Sequence, residues 1–155
     1  MHPSITPIMT IAGASGIVGS SLIAHARQHN FRFRVLSRRA TQENVSTDIE
    51  LFQWSPGTQE SEPNTTAALE GARIIVNLAG ASIAHGRLST ARKKTLLQSR
   101  LDATSALVKA YQACTNPPDV WIQASAIGYY GDRGEEEVTE ESDAAKNWFL
   151  ADLCQ

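Results

Sequence analysis

Gly13, Gly16 and Gly19 stand three residues apart in "MTIAGASGIVGSSLI" (9–23), after a short apolar run and ahead of apolar residues at helical spacing. The chemistry such a triplet can do is anion binding. The first turn of a helix leaves N–H groups without partners, and the helix dipole adds positive charge there. Glycine lets a pyrophosphate approach the backbone, and the third glycine lets the helix pack closely on the strand. The candidate phosphate-binding loop is therefore Gly13, Ala14, Ser15, Gly16, Ile17, Val18 and Gly19. A nucleoside triphosphate loop is disfavoured, because no Lys-Ser or Lys-Thr pair follows the glycines. Alone, the triplet also fits a plain turn. Its setting favours a dinucleotide: strand, loop, helix and strand fall within about thirty residues.

The end of the second strand decides which dinucleotide. An NAD site places Asp or Glu there for the ribose 2′-hydroxyl. Here the chain runs "FRFRVLSRRAT" (31–41), so Ser37, Arg38 and Arg39 occupy the position, and no carboxylate follows until Glu43. Two guanidiniums suit a 2′-phosphate, which a carboxylate would repel. NADP is expected over NAD; the alternative is that both arginines are solvated turn residues. Further on, "RIIVNLAGASIAHGRLS" (73–89) puts Asn77, Leu78, Ala79 and Gly80 at a strand's carboxyl end, where ligands of open α/β sheets sit. Their small size leaves room for a ribose and nicotinamide; the alternative for Asn77 is that it simply caps the strand end. Arg87, Arg92, Lys93 and Lys94 form a basic cluster, read as a solvated helix face rather than an anion site for substrate.

Candidate catalytic groups lie past the fifth apolar run, in "VWIQASAIGYYGDRG" (120–134). Ser125 can hydrogen-bond a substrate carbonyl or alcohol. Tyr129 or Tyr130 can exchange a proton if a nearby cation lowers its pKa. The alternative is packing, the commoner use of aromatic residues. Glu135–Glu137, Glu140 and Glu141 are expected to face solvent.

Elements must position these groups. Apolar, β-prone runs recur at Ile8–Ala12, Phe33–Leu36, Leu51–Trp54, Ile74–Ala79 and Val120–Ala124. Several are continuous, as in strands covered on both faces. A helix is predicted over Gly16–His29, with Val18, Leu22 and Ala26 on its buried stripe and Asn30 as a left-handed stop. A longer one starts near Ser89, with Leu97, Leu101, Thr104, Val108 and Tyr111 as its apolar face, and Asn116-Pro117-Pro118 closes it. Residues 55–66 read as a polar loop. The alternation predicts an α/β fold: a Rossmann-like, doubly wound parallel sheet in three layers with right-handed crossovers. Residues 148–154 read as a helix that stops without a cap, so truncation at the C-terminus is expected.

Bulk properties narrow the function classes. The 155 residues suffice for one domain, and a net charge of −2 provides no field for nucleic acid or anionic membrane. No apolar stretch approaches the roughly 20 residues of a membrane span. "MHPSITPI" lacks the apolar segment of a secretory signal. Cys114 and Cys154 are expected to be reduced and the location cytoplasmic. His2, His25, His29 and His85 make no metal-ligand pattern.

Taken together, "IAGASGIVGSSL", "LSRRA", "IIVNLAGASIA", "ARKKTLLQSRLDATSALVKA", "SAIGYYGDRG" and "FLADLC" resemble the extended short-chain dehydrogenase/reductase superfamily. More narrowly they resemble its atypical epimerase branch, described as nucleoside-diphosphate-sugar epimerases. The resemblance covers nearly the whole chain, whereas members of the branch run to about twice its length. It implies that residues 1–155 are one NADP-binding domain without the last strands and the substrate domain. NADP would lie on Gly13–Gly19, with Ser37, Arg38 and Arg39 on the 2′-phosphate and Asn77 to Gly80 along the ribose. Ser125 matches the serine that positions the reacting oxygen. One departure stands out. The superfamily's proton donor is a tyrosine with a lysine four residues on. Tyr111, Tyr129 and Tyr130 are followed at that spacing by Thr115, Arg133 and Gly134, and the helix where the pair belongs carries Phe149 and Leu153. The expectation is an NADP(H)-binding oxidoreductase or epimerase-like protein acting on an unknown carbonyl or sugar-nucleotide substrate. The alternatives are a non-catalytic NADP-binding or sensing module, and an inactive fragment that pairs with a second copy as a homodimer.

Overall fold

The computed structural model describes residues 6–39, 46–58, 62–84 and 86–155. Strands β1 (Ile8–Ala12), β2 (Arg32–Ser37), β3 (Ile49–Gln53), β4 (Ile74–Asn77) and β5 (Val120–Gln123) form one sheet in the order β3-β2-β1-β4-β5. All four pairings are parallel, with Ala12 opposite both Leu36 and Asn77. Helix α1 (Ile17–Ala26) links β1 to β2, α2 (Glu62–Leu69) precedes β4, α3 (Thr90–Ala113) precedes β5, and α4 (Phe149–Cys154) comes last. Chain order reverses beside β1, which opens a crevice outside the carboxyl ends of β1 and β4. The fold is the expected Rossmann-like α/β sheet.

Side-chain alternation divides the core between two faces. Met9, Ile11, Phe33, Val35 and Val76 pack with Ile23 and Ala26 of α1. Ala12, Leu36 and Ile75 turn the other way, against Ala68 and Leu69 of α2 and Ala103, Leu107 and Ala110 of α3. Polar groups between strand and helix are paired. The Thr10 hydroxyl donates to the Ala68 carbonyl, and Arg34 Nη1 donates to the carbonyls of Ala67, Ala68 and Glu70. Arg34 thereby brings positive charge to the last turn of α2, where carbonyls lack helical partners.

Four expectations change. In α1 the buried positions are Gly19, Ile23 and Ala26, while Val18 is 66% exposed. Ala26 is buried as expected and Leu22 packs partly buried against the core, but glycine carries no apolar signal, so the burial of Gly19 in place of Val18 is not marked in the sequence. In α3, Leu97, Leu101 and Val108 lie outside, and the core face is Leu96, Ala103, Leu107 and Ala110. The alanines let α3 sit close to the sheet, which outweighs the greater apolar area of the leucine stripe. The polar segment 55–66 contains the start of α2, whose Thr65, Ala68 and Leu69 are buried. Pro63 in its first turn suits a helix start, because its missing N–H would have had no partner there. Finally, β5 is not covered on both faces: Trp121 packs against Tyr111, edge to face, but Val120 and Ile122 are exposed. His2, Glu43, His85 and residues 59–61 lie outside the described residues. Among those described, no three metal-binding side chains cluster, and no helix is long and apolar enough to cross a membrane.

Leu107→Ala is expected to lower stability by about 2–5 kcal/mol, and Leu101→Ala by less than about 0.5 kcal/mol. Chemical denaturation of both variants checks which face of α3 is buried. A pH prediction comes from the turn before β3. Arg27 donates to both Asp48 oxygens (2.6 and 3.2 Å), and the Ser46 hydroxyl bonds the same carboxylate. The Arg27 bond first, then that of Ser46, holds the Asp48 carboxyl at about 2. A depressed folded-state pKa gives stability that is complete above about pH 5 and is lost as pH falls toward 2. An NMR titration of Asp48 is expected to show that midpoint, returning toward the ordinary carboxylate value in Arg27→Ala.

Candidate functional site

The crevice is built on the turn from β1 into α1. Gly13 leaves the strand at φ 87°, a left-handed conformation that favours glycine. A Cβ there would also lie 2.8 Å from the Leu78 carbonyl group. Gly19 fixes the other end: a Cβ on it would come within 2.6 Å of Ala14 Cα. The helix is thus seated directly on the loop. Gly16 differs. It is extended, caps α1 without a side-chain bond, and a Cβ on it would meet only the Gly13 carbonyl at 3.5 Å. Packing within the protein does not require glycine at 16, but a ligand lying against the backbone would. Among the described residues, the amides of Ile17 and Val18 have no protein acceptor, and the first turn carries no acidic side chain. The N-terminus of α1 is therefore open and electropositive.

At the end of β2 the Ser37 hydroxyl accepts from the Arg39 amide (3.1 Å) and donates to the Arg39 carbonyl (3.2 Å). Gln53 Nε2 holds the Arg38 carbonyl at 2.9 Å. These bonds shape a turn that presents two exposed guanidiniums. Neither pairs with a carboxylate among the described residues.

The third wall follows β4. Asn77 is only 1% exposed; its Oδ1 accepts from the Ala79 amide, and its Nδ2 donates to Gln123 and Thr104. Its place is inside the sheet end, where it shapes the loop that follows. That loop is also tied to α3: the Ala81 amide donates to Ser99 Oγ and the Ala81 carbonyl accepts from Arg100. Burial lowers the pKa of the Arg100 guanidinium below the ordinary arginine value, with Cys154 acting weakly the other way.

These walls enclose a cleft of about 1010 Å³, in the range of pockets that hold cofactors. Ten of the fourteen expected cofactor residues line it: Gly13, Ala14, Ser15, Gly16, Ser37, Arg38, Arg39, Leu78, Ala79 and Gly80. Ile17, Val18, Gly19 and Asn77 do not; the side chains of Ile17 and Val18 point to solvent. Sequence reasoning missed two parts of the lining. Trp54 and Pro56 follow β3, and Thr95, Ser99 and Ala103 come from α3. Small residues at 95, 99 and 103 recur every four positions, a helical stripe that could have been read directly.

The expected catalytic groups are not in the cleft wall. Ser125 is exposed just past β5, and the rings of Tyr129 and Tyr130 meet edge to face with centroids 5.0 Å apart. Arg133, four residues beyond Tyr129, donates to the carbonyls of Tyr130 and Asp143 and pairs with Glu136. Its guanidinium is thus engaged with backbone and carboxylate. In the basic cluster, Arg92 bonds the Ser82 carbonyl and Lys93 lies over the Phe149 ring at 5.1 Å. Those two are docking residues rather than a purely solvated face.

Comparison with known proteins now decides the family. The family model described as "NAD dependent epimerase/dehydratase family" matches residues 9–148. The chain belongs to that family. Among its epimerase/dehydratase relatives, "Epimerase family protein Mb2239" of Mycobacterium bovis is 36% identical over 95% of this chain. A human structure, epimerase family protein SDR39U1 (isoform2) with NADPH, shares the fold at TM-score 0.74 and 22% identity over 94% of the chain. A short-chain dehydrogenase/reductase superfamily protein from Agrobacterium tumefaciens with bound NAD gives TM-score 0.70 and 18% identity over 95%. The chain spans 45%, 45% and 42% of these three in turn, so about half the length of its relatives.

Gly19→Ala is expected to destabilise the fold. Overpacking against backbone costs about 1–3 kcal/mol, which exceeds the helix-propensity gain of just under about 1 kcal/mol. Gly16→Ala should change stability by less than about 1 kcal/mol. Thermal unfolding of the two variants checks this difference.

Proposed function

We propose that the chain is the NADP(H)-binding part of an epimerase/dehydratase-family protein. The observation that carries this reading is the pair Arg38–Arg39 at the end of β2, which meets no carboxylate among the described residues and lines the same cleft as the turn before α1. The amides after Gly16 would take the pyrophosphate, and the two guanidiniums the adenosine 2′-phosphate. Leu78, Ala79 and Gly80 would lie along the nicotinamide ribose. When bound, the cofactor supplies hydride exchange at its nicotinamide ring.

The protein's own part is to bind and orient. A carbonyl or sugar-nucleotide substrate would present its reacting oxygen toward Ser125, with Tyr129 or Tyr130 as the proton-exchanging group. A second reading, a non-catalytic NADP-binding or sensing module, is favoured by a specific observation. Tyr129 has no lysine four residues on, and the cation at that spacing, Arg133, is bonded to carbonyls and Glu136. The two free cysteines fit a reducing, cytoplasmic setting, which is part of the proposal. So is pairing with a second copy of the chain; nucleic acid and membrane have no part in it.

Calorimetry with NADPH and NADH, on the wild-type chain and on Arg38→Ala/Arg39→Ala, tests the cofactor assignment. Losing two charge-assisted contacts is expected to weaken NADPH about 100-fold and leave NADH nearly unchanged. Equal losses for both cofactors, or a wild-type preference for NADH, would overturn the NADP reading.

A further inference from the structure

The loop after β4 is held from outside the cleft as well as from within it. Both backbone polar groups of Ala81 are used by consecutive residues of α3. The amide donates to Ser99 Oγ at 2.9 Å, and the carbonyl accepts from Arg100 Nη1 at 3.2 Å. One residue on, the Ser82 carbonyl accepts from Arg92. The same Arg100 nitrogen donates to the Leu96 carbonyl at 3.0 Å, and Ser99 Oγ donates to that carbonyl at 3.0 Å. The guanidinium therefore bridges helix and loop. It also occupies the space beside Gly80: a Cβ at that glycine would lie 3.0 Å from Arg100 Cζ and 3.1 Å from Nη1. Gly80 and Arg100 fit each other, so a side chain at 80 would push the guanidinium out.

Two further facts separate Arg100 from an ordinary ion pair or ligand contact. It has no carboxylate partner among the described residues, so charge neutralisation does not explain its half-buried place. Nor does it line the cleft, although Gly80, Ala81 and Ser99 do. It reaches the cleft only through the loop it holds.

We propose that Arg100 is a positioning residue: with Ser99 it latches the Ala81 backbone to α3 and so pre-shapes the wall that receives the nicotinamide half of the cofactor. The inference rests on the cofactor reading above for what the wall receives, but the latch itself does not. A loop left unfixed must be ordered when the ligand arrives, and that ordering appears as lost affinity. The loss falls only on ligands that touch this wall. The loop at Gly13–Gly16 and the Arg38–Arg39 turn are held by other bonds, so a ligand confined to them is indifferent to Arg100.

The test uses the 155-residue chain carrying Arg100→Met, which keeps the apolar stem and removes the donors, and Arg100→Lys, which restores one. Three quantities are read: hydrogen exchange of the Ala81 amide, affinity for NADPH, and affinity for adenosine 2′,5′-bisphosphate, which has no nicotinamide half. Arg100→Met is expected to speed Ala81 exchange and to weaken NADPH by about tenfold each, with the bisphosphate unchanged. Arg100→Lys should recover part of both effects. A residue with a merely structural role would weaken both ligands in parallel with a fall in Tm, and that result, or unchanged Ala81 exchange, overturns the proposal. Should Arg100→Met fail to fold, Ser99→Ala removes the other half of the latch and is read by the same exchange measurement. If the wild-type chain binds neither ligand, the cofactor reading fails. Ala81 exchange needs no ligand, and still decides the latch on the same terms.

Discussion

The site depends on one steric constraint: α1 must follow β1 through the short turn Gly13–Gly16 and sit so closely on it that nothing covers the helix's first amides. Gly13 permits the left-handed exit from the strand, and Gly19 permits the helix to rest on the backbone of Ala14. With those two contacts in place, the amides after Gly16 have no protein acceptor among the described residues. Such a helix end, open to a cleft and without an acidic cap, favours an anion. Other features of the cleft agree with that sign. The turn after β2 presents two arginines, and the loop after β4 contributes small apolar residues and backbone. The parallel sheet brings all three loops to one edge, because each follows the carboxyl end of a neighbouring strand.

The strands were legible in the sequence because each is a short β-prone run bounded by polar or glycine residues. All five occur within a residue or two of their expected limits. Helix faces were harder. On α3, leucine and valine at 97, 101 and 108 outnumber the large apolar residues of the buried face, where two of the four positions are alanine. A helix lying close to a sheet needs small residues at the contact, and a count of apolar area points the other way. The start of α2 was obscured for a related reason. Its first residues are Glu62, Pro63 and Asn64, and its buried contribution is only Thr65, Ala68 and Leu69. Nothing in a polar window signals that three of its side chains close a core.

The phosphate loop and the arginine turn were legible because their chemistry is local: contiguous residues supply the groups. The parts that depend on packing were not. Asn77 carries the same amide whether it faces a ribose or the interior, and its bonds to Thr104 and Gln123 join residues far apart in sequence. Trp54 reaches the cleft through the register of β3 with β2, and Ser99 through the placement of α3 across the sheet. The tyrosines show the opposite case. Their lack of a lysine four residues on was plain in the sequence, and the geometry around Arg133 supplies no substitute cation. Binding is thus better supported than catalysis in this chain, which has about half the length of its relatives.

The most direct test of the central claim is an amide chemical-shift titration of the isotopically labelled chain with NADPH. If the N-terminus of α1 holds the pyrophosphate, the largest changes fall on the amides of Ser15 to Val18, with accompanying shifts at the Arg38 and Arg39 side chains. Saturation that leaves those amides unmoved, or moves chiefly residues elsewhere, would contradict the account.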